Sequence, residues 1–348
     1  MNDSNSIIKR VKIINIIAET ANAKTFVLGF LDDWQPVYRP GQFITLVFYT
    51  KHGEKRRSYS ISSAAVMGEP FSFTVKKVDN GEFSRFLISH VKVGDILYSS
   101  GISGLFLLPG NIDQTKQYFF IAAGSGITPC FSMLKTILAT SEAKVVLIYS
   151  YRNEADCIFH QQLKALQIKY GNRFAIHFLF SNILDVYRSR LSKWLLEQLM
   201  SEYLSVPAQH ALYYMCGPFE YMRMINITLL ERVPAKNIFK ENFITLPRLI
   251  IPTSPDTGLH NVTININNKE YKLEVQYPYS ILATAKKNKI ELPYSCEAGR
   301  CGSCVATCTK GKIWMAYNEV LTDDEVAKGR VLVCQGFPVG GDAEISFT

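Results

Sequence analysis

Long hydrophobic runs are missing from this sequence of 348 residues, since no stretch of about eighteen apolar residues occurs in it. The first residues, Met-Asn-Asp-Ser-Asn-Ser, have no apolar core of the kind found in secretory signals. Internal repeats and low-complexity tracts are also absent. We therefore expect no membrane span and no export, and we predict a cytoplasmic location.

A disulfide framework is equally absent. Of eight cysteines, four are scattered singly, namely Cys130, Cys157, Cys216 and Cys308. Single cysteines of this kind are typical of a reducing compartment. The sequence also has no basic stripe and no basic-aromatic RNA-binding motif, so a nucleic-acid partner is not expected.

Charge is unevenly distributed. The formal net charge is +8, yet residues 261–348 contain ten Lys or Arg and ten Asp or Glu, so the whole excess belongs to the first 260 residues. A basic surface favours anionic small molecules such as nucleotide cofactors. A solvated lysine-rich surface without a partner is the alternative, and charge alone does not decide between them.

The other four cysteines follow a pattern. Cys296, Cys301, Cys304 and Cys334 are spaced C-x4-C-x2-C…C, which is the plant-type spacing of a [2Fe–2S] cluster. Gly299 and Gly302 in the same loop would let backbone N–H groups approach the inorganic sulfides. Zinc and reduced structural cysteines are the alternatives, but zinc usually takes two short C-x2-C pairs and only one is present. The spacing predicts a cluster that carries one electron at a time.

The N-terminal part reads as closely spaced strands at residues 7–17, 24–29, 43–49, 56–62 and 71–78. Strands without intervening helices predict an antiparallel barrel. A helix is predicted over residues 84–91, preceded by Gly81-Glu82-Phe83-Ser84, where a glycine and a hydroxyl at a helix start would offer N–H groups to a phosphate. A helix cap is the commoner use of such a serine.

From residue 116 the pattern changes to alternating strands and helices. Strands are predicted at 117–123, 144–151, 174–181, 211–217 and 237–243, and helices at 130–140, 161–170, 191–200 and 218–233. The turn Gly124-Ser125-Gly126-Ile127-Thr128-Pro129 joins the first strand to the first helix and lacks the third glycine of the usual dinucleotide motif. The alternation predicts a doubly wound α/β sheet that binds its ligand beyond the carboxyl ends of the strands. Cys216 at one such end could face that crevice or be core.

The C-terminal part is set off by residues 246–260, a proline-rich segment that reads as a linker. A hairpin is predicted at 262–266 and 271–275, around the turn Asn267-Asn268, followed by a helix at 280–287. We expect four regions: 1–112, 113–245, the linker 246–260, and 261–348.

Six motifs occur in one order along the chain: Pro40-Gly41-Gln42-Phe43, Arg57-Ser58-Tyr59-Ser60, Gly81-Glu82-Phe83-Ser84, the turn Gly124–Pro129, Cys216-Gly217-Pro218 and the four cluster cysteines. Together they resemble the ferredoxin–NADP reductase superfamily fused to a plant-type ferredoxin, over nearly the whole chain. The domain order is most similar to phenylacetyl-CoA epoxidase reductase subunits and related oxygenase reductases. The resemblance implies a multidomain fold with an antiparallel β-barrel FAD domain, a doubly wound α/β NAD(P) domain and an α+β β-grasp ferredoxin domain.

The resemblance also implies roles for individual residues. Arg57 would bind the flavin diphosphate, Tyr59 would lie against the isoalloxazine, and Ser60 would lie near its N5. Cys216 and Glu241 would border the path of the hydride, which makes them, with Ser60, the candidate catalytic residues, and Phe243 would cover the ring face. The other implied cofactor-binding residues are Ser58, Val75, Lys76, Gly81, Phe83, Ser84, Gly124, Gly126, Thr128, Pro129 and Gly217.

The preferred nicotinamide nucleotide stays open. NADPH-specific relatives often carry a Ser-Arg pair after the strand that here ends Phe180-Ser181-Asn182, and that arginine is missing. Arg152, Arg188 or Arg190 could replace it. We expect a modest preference for NADPH at most.

The function implied is that of an enzyme, an NAD(P)H-dependent oxidoreductase that passes electrons through FAD and a [2Fe–2S] cluster to an oxygenase. A nicotinamide gives up two electrons as a hydride and a cluster accepts one, so a flavin must lie between them. A di-iron oxygenase acting on a CoA thioester or an aromatic acid is one candidate partner.

Two alternatives share part of this pattern. An FMN-containing aromatic-ring dioxygenase reductase has the same domain order, but Gly81–Ser84 offers phosphate contacts that a mononucleotide would not need. An iron–sulfur redox sensor or carrier with a vestigial nucleotide site belongs to a different class. The intact glycines and the intact Arg-x-Tyr-Ser motif argue against it.

Overall fold

The computed structural model describes residues 8–51, 53–185, 187–243 and 252–347. Contacts divide the chain into two compact units, Met1–Ile102 with Phe106–Phe243, and Ser103–Leu105 with Ile244–Thr348. No helix within the described ranges is long and apolar enough to cross a membrane. The four regions expected from the sequence stay a prediction.

The first unit contains an antiparallel, barrel-like sheet. Its strands in the described part of the chain are β1 (Lys9–Thr20), β2 (Ala23–Phe30), β3 (Phe43–Thr50), β4 (Gly53–Ser60), β5 (Ser72–Lys76) and β6 (Ile96–Ser103), in the order β4-β3-β6-β1-β2-β5. A bridge between Ile61 and Phe73 brings the end of β4 to β5, which joins the two edges of the sheet. Helix α1 (Glu82–His90) packs Leu87 and Ile88 against the barrel core. The predicted barrel is confirmed.

Strand β6 was missing from the sequence prediction, although it lies in the middle of the sheet between β3 and β1. Its residues are Ile-Leu-Tyr-Ser-Ser-Gly-Ile-Ser, and only Leu97 and Ser99 of them are fully buried. Gly101 has a φ of 109°, which side chains rarely adopt. A strand with few buried apolar residues and a glycine inside it gives a weak pattern.

A parallel α/β sheet completes the first unit. Its strands are β7 (Gln117–Ala123), β8 (Lys144–Tyr151), β9 (Phe174–Phe180), β10 (Leu212–Cys216) and β11 (Ile238–Glu241), in the order β11-β10-β7-β8-β9. The helices are α2 (Ile127–Thr140), α3 (His160–Tyr170), α4 (Lys193–Tyr203) and α5 (Phe219–Leu230). The strand order reverses between β7 and β10, which is where such sheets bind ligands.

Both faces of this sheet are covered, as its apolar strands predict. Tyr118 and Phe120 of β7 pack with α2 and α3, whereas Phe119 and Ile121 pack with α4 and α5. Helix α2 begins at Ile127, three residues before the predicted start. Pro129 is tolerated there because N–H groups of the first helical turn have no partner within the helix.

The second unit has a mixed sheet. Its described elements are β12 (His260–Ile266), β13 (Lys269–Val275), α6 (Ile281–Lys287), β14 (Val305–Lys310), β15 (Ile313–Met315), α7 (Asp323–Ala327), β16 (Arg330–Leu332), β17 (Gly336–Pro338) and β18 (Ala343–Ser346). The sheet order is β13-β12-β18-β14-β16, with β15 and β17 forming a small ribbon. Asn267 and Asn268 have φ values of 50° and 58° and form the predicted hairpin turn. The predicted α+β ferredoxin domain is confirmed.

The linker prediction falls partly outside the described residues, at 246–251. Residues 252–259 contain no helix or strand. Asp256 holds this segment to the sheet, because its carboxylate accepts hydrogen bonds from the N–H groups of Gly258 at 2.8 Å and Gly340 at 2.7 Å. Residues 252–259 are therefore tied to the second unit.

Candidate functional site

The residues predicted to bind the flavin lie on β4 and at the start of α1. The guanidinium carbon of Arg57 lies 4.9 Å from the centroid of the Phe83 ring, so the two motifs are adjacent. Ser60 is buried, and burial raises the pKa of the Tyr59 phenol. A cation beside an aromatic ring and a helix start suits a flavin diphosphate.

Two other predicted residues use their side chains within the barrel. The hydroxyl of Ser58 lies 3.0 Å from that of Thr45 on β3. The side chain of Val75 is buried in the barrel core. Any contact of Val75 with a cofactor would therefore come from its backbone, whereas the partly buried Ser58 hydroxyl keeps further hydrogen-bonding capacity.

Ser84 closes the turn before α1 and is not its N-cap. Its hydroxyl accepts a hydrogen bond from the N–H of Val78 at 3.1 Å and donates one to the carbonyl of Gly81 at 3.1 Å. The N-cap is Gly81, where an added Cβ would lie 2.5 Å from the Ser84 Oγ. Since first-turn N–H groups have no partner within a helix, this helix start fits the pyrophosphate of a dinucleotide flavin.

The turn Gly124–Pro129 after β7 needs glycine at two positions, one for its positive φ and one for a close backbone approach. Gly124 has a φ of 57°, and a Cβ on Gly126 would lie 2.0 Å from the carbonyl oxygen of Cys216. The hydroxyl of Thr128 donates to the carbonyl of Ser125 at 2.9 Å, and Pro129 is buried within α2. The turn therefore presents backbone at the sheet edge where a nucleotide would bind.

Lys76 brings a cation to this turn from the barrel. Its ammonium nitrogen lies 4.8 Å from the centroid of the Tyr151 ring, and a Cβ on Gly124 would lie 3.8 Å from it. Burial lowers the pKa of Lys76. A partly buried cation beside a glycine turn fits a phosphate. Tyr151 was not predicted, although it ends β8 at the ligand edge of the sheet.

Cys216 and Glu241 are neighbouring register partners at the ends of the parallel strands β10 and β11. Burial raises the pKa of Glu241 to about 8, and within the described residues its Oε2 is buried without a hydrogen-bond partner. Burial, and then the nearby Glu241 carboxylate, raise the pKa of the Cys216 and Cys130 thiols. Burial therefore favours the neutral forms of the carboxyl and of both thiols at this end of the crevice. Cys130 was missed because nothing in its spacing singles it out.

The arginines predicted to discriminate between NADPH and NADH lie in the loops that follow β8 and β9. Arg152, Arg188 and Arg190 are exposed. The N–H of Asn182 donates to the carbonyl of Arg152 at 3.1 Å, which joins the end of β8 to the loop after β9. Phe243 lies beyond β11 and is 43% exposed, while Gly217 packs closely on Ala123.

The four cluster cysteines meet as two pairs in the second unit. The Cys301 thiol hydrogen-bonds the Cys296 sulfur, which lowers the pKa of Cys296 and raises that of Cys301. A hydrogen bond with Cys334 likewise raises the pKa of Cys304. Electrostatic repulsion from Cys301 raises it as well. Across the described ranges, no three His, Cys, Asp or Glu side chains converge on one metal position. Two adjacent thiol pairs fit a [2Fe–2S] cluster, in which each iron takes two cysteines.

The cluster loop is held by its own backbone and by ion pairs of Glu297 with Lys286 and of Arg300 with Glu319. The N–H of Ala298 donates to the Cys296 sulfur at 3.4 Å, and Gly299 has a φ of 71°. Arg300 pairs with Glu319 at 3.1 Å, and each side chain is 13% exposed. These contacts fix the loop geometry that cluster ligands need.

Three protein-family models match the chain in order. An oxidoreductase FAD-binding domain matches residues 10–107, an oxidoreductase NAD-binding domain matches 120–226, and a 2Fe-2S iron-sulfur cluster binding domain matches 264–339. The three matches contain the flavin residues, the glycine turn and the cluster cysteines respectively. The cofactor classes predicted from the sequence are confirmed at this level.

Similar full-length proteins include two oxygenase components. A subunit of the 1,2-phenylacetyl-CoA epoxidase from Escherichia coli strain K12 is 30% identical, with 96% of each chain covered. The ferredoxin reductase component of 3-ketosteroid-9-alpha-monooxygenase from Rhodococcus rhodochrous is 28% identical, with 95% of each chain covered.

Solved structures share the fold. Phthalate dioxygenase reductase aligns with a TM-score of 0.59 at 22% identity, covering 98% of both chains. A type IV self-sufficient cytochrome P450 monooxygenase aligns with a TM-score of 0.72 at 18% identity, covering 97% of this chain and 41% of that one. The chain is an oxidoreductase that belongs to the family of this phenylacetyl-CoA epoxidase component and related oxygenase reductases, within the ferredoxin–NADP reductase superfamily.

Proposed function

We propose that this protein takes two electrons from NADPH or NADH and delivers them one at a time to an oxygenase protein in the cytoplasm. The observation that carries the proposal is the pairing of Cys296 with Cys301 and of Cys304 with Cys334, in a unit separate from the glycine turn. A one-electron carrier in the same chain as a nucleotide site is needed when the acceptor takes single electrons. When bound, FAD supplies the conversion from two-electron to one-electron chemistry.

Specific residues would hold the cofactors. Arg57 and the start of α1 would bind the flavin diphosphate, and the glycine turn with Lys76 would bind the nucleotide phosphates. Cys216 and a protonated Glu241 would border the nicotinamide without placing a charge beside it. Their burial would exclude water from the reacting atoms. No side chain is required to form a covalent bond with substrate.

The reductase does not determine which substrate the oxygenase acts on. Relatives named for 3-ketosteroid, phenylacetyl-CoA and glycine betaine oxygenation are 28%, 30% and 28% identical to this chain. Because such similar reductases serve such different substrates, the partner selects the substrate. We take a di-iron oxygenase acting on a CoA thioester as the first candidate, since the phenylacetyl-CoA relative resembles the chain over its full length.

The cytoplasmic location is supported by free cysteines. All eight cysteine thiols are free in the structure, and four of them would serve the cluster. Unpaired thiols are typical of a reducing compartment.

One experiment tests the proposal. The tagged protein is isolated from its own cells, and the proteins that co-purify are identified. Under argon, NADPH or NADH should bleach the flavin and cluster absorbance without any partner, and the co-purified oxygenase should oxygenate its substrate when nucleotide is added. Failure of both nucleotides to bleach the spectrum would instead support a sensor or carrier.

A further inference from the structure

Helix α2 is attached to the segment between β4 and β5 by two side chains. The hydroxyl of Ser132 donates a buried hydrogen bond of 2.6 Å to the carbonyl of Ser63. The ammonium of Lys135 forms an ion pair with the carboxylate of Glu69. The same Glu69 oxygen accepts a hydrogen bond of 2.8 Å from the N–H of Ala64. These contacts join the nucleotide-binding part of the first unit to its barrel.

The ammonium group of Lys135 is also held from its other side. It lies 4.1 Å from the centroid of the Phe131 ring, one turn earlier in α2. Phe131 stacks on Phe159 at 4.1 Å between centroids and 14° between planes. Phe159 has a φ of 63°, which is disfavoured for an aromatic residue and persists only where the surroundings enforce it. The Lys135 ammonium is therefore contacted by both the Glu69 carboxylate and the Phe131 ring.

Stability alone does not account for this ion pair. The Lys135 side chain is 5% exposed and the Glu69 side chain is 32% exposed, so the ion pair is buried on the lysine side. Burial lowers the pKa of Lys135 despite the attraction of Glu69. Buried ion pairs of this kind contribute little net stability, and the best-attested use of such pairs is to specify one arrangement of the parts they join.

The parts joined here lead directly to the two cofactor sites. Helix α2 starts at Ile127, immediately after the Gly124–Gly126 turn. On the barrel side, Ser63 follows Ser60 by three residues along the chain. The attachment is therefore a short, rigid connection between the backbone that would carry the nicotinamide and the strand that would carry the flavin.

We propose that Lys135, together with Ser132, is a positioning residue for hydride transfer, and that its ion pair with Glu69 sets the distance between nicotinamide and flavin. This inference rests on the proposed function. In the reaction, a hydride leaves the nicotinamide for the flavin and a proton comes from solvent, so NAD(P)H and FAD become NAD(P)⁺ and FADH₂. The rate of such a transfer depends steeply on how the two rings are placed.

The test compares variants of the full-length holoprotein. Lys135→Met, Glu69→Gln and the double variant remove the ion pair with little change in volume, and Ser132→Ala removes the second contact. Lys193→Met is the matched control, because Lys193 pairs with Glu231 on the α4 and α5 side of the sheet. Anaerobic stopped-flow measurements with NADPH and NADH give the flavin reduction rate at saturation and the nucleotide Kd.

Lys135→Met is expected to slow flavin reduction roughly tenfold to a hundredfold with little change in Kd. The primary kinetic isotope effect with 4-deuterated nucleotide should change, and the double variant should be no slower than Lys135→Met, since both remove one interaction. Amide hydrogen exchange, which does not depend on activity, should increase in residues 64–72 and 127–140. Lys193→Met should match the wild type in all of these.

Two outcomes separate the proposals. If neither nucleotide reduces the wild-type flavin, the proposed function fails. If the wild type is reduced and Lys135→Met, Glu69→Gln and Ser132→Ala all match Lys193→Met in rate and isotope effect, the positioning role is overturned. A Lys135→Met protein that does not fold leaves Glu69→Gln and Ser132→Ala to decide, because each breaks a different contact.

Discussion

Gly126 and Cys216 are in direct backbone contact. A Cβ on Gly126 would lie 2.0 Å from the carbonyl oxygen of Cys216 and 2.4 Å from its carbonyl carbon. The turn after β7 and the end of β10 therefore approach so closely that no Cβ fits between them. This approach forms the floor of the predicted nucleotide site, and it requires glycine because any side chain would displace one strand end.

Gly126→Ala is accordingly expected to weaken both folding and nucleotide binding. Overpacking against backbone costs about 1–3 kcal/mol in unfolding free energy. Gly110→Ala is the control, since nothing lies within 4 Å of an added Cβ there. Urea unfolding and nucleotide titration check both variants. Equal stability and equal Kd for Gly126→Ala and Gly110→Ala would contradict the close approach.

Cys301→Ser should lose the cluster and keep the flavin, because one thiolate of a pair is removed. Cys308→Ser is the matched control, a half-buried cysteine in the same unit that no cluster pair includes. Iron and sulfide content should fall only in Cys301→Ser. Ferricyanide reduction by NAD(P)H should survive in both variants, whereas cytochrome c reduction should fall in Cys301→Ser. Unchanged cytochrome c reduction would mean that electrons leave directly from the flavin.

The released flavin should be FAD. The start of α1, with Gly81 as N-cap and Ser84 closing the turn, places free N–H groups for a pyrophosphate. Chromatography of the acid extract identifies the flavin. FMN as the sole product would reassign the protein to the FMN-containing dioxygenase reductases.

The chain should discriminate only modestly between NADPH and NADH. Arg152, Arg188 and Arg190 are exposed in the loops that follow β8 and β9, and one bidentate arginine contact with a 2′-phosphate contributes about 1.5–3 kcal/mol, or roughly tenfold to a hundredfold or more. The ratio of kcat/KM for the two nucleotides measures this. A preference of about a thousandfold in either direction exceeds one such contact and would contradict our interpretation of residues 181–190.

Strongly patterned elements were predictable from the sequence. Strands β7 and β8 have the bounds expected at 117–123 and 144–151, because each is an apolar run buried on both faces and ended by a turn. The 2Fe-2S domain was predictable because the spacing of Cys296, Cys301 and Cys304 is local, and Cys334 as the fourth ligand stays a prediction. The hairpin at Asn267-Asn268 was likewise predictable, because asparagine readily adopts the positive φ that such a turn needs.

Long-range relationships could not be predicted in the same way. Lys135 and Glu69 are 66 residues apart, and neither has a periodicity that identifies its partner. Cys130 resembles any other apolar position of α2 until β11 brings Glu241 near it. Ser84 was expected either to cap α1 or to help bind phosphate. It is not the N-cap, because its hydroxyl hydrogen-bonds Val78 and Gly81 within the turn, whereas its contact with a phosphate stays a prediction.

Glu241 should make stability fall with rising pH. Burial raises its pKa from an ordinary 4.5 to about 8, so between these values the folded protein holds a proton that the unfolded chain has lost. The contribution of Glu241 is therefore fully present below about pH 4.5, is lost as pH rises through about 8, and is constant above that. Each unit of pKa shift between the folded and unfolded states corresponds to about 1.4 kcal/mol of unfolding free energy.

Glu241→Gln keeps the shape and removes the titration, so its unfolding free energy should depend less on pH than that of the wild type between about pH 5 and 8. Denaturant unfolding of both proteins across this range measures the difference, and other titrating groups cancel because they are shared. Flavin reduction by NAD(P)H should become faster above about pH 8 in the wild type alone, because only there does a carboxylate form beside the nicotinamide, which becomes a cation as the hydride leaves. Parallel stability curves for the two proteins would show that Glu241 ionises normally. In that case the end of the crevice would carry a negative charge at neutral pH, contrary to its buried and unpartnered Oε2.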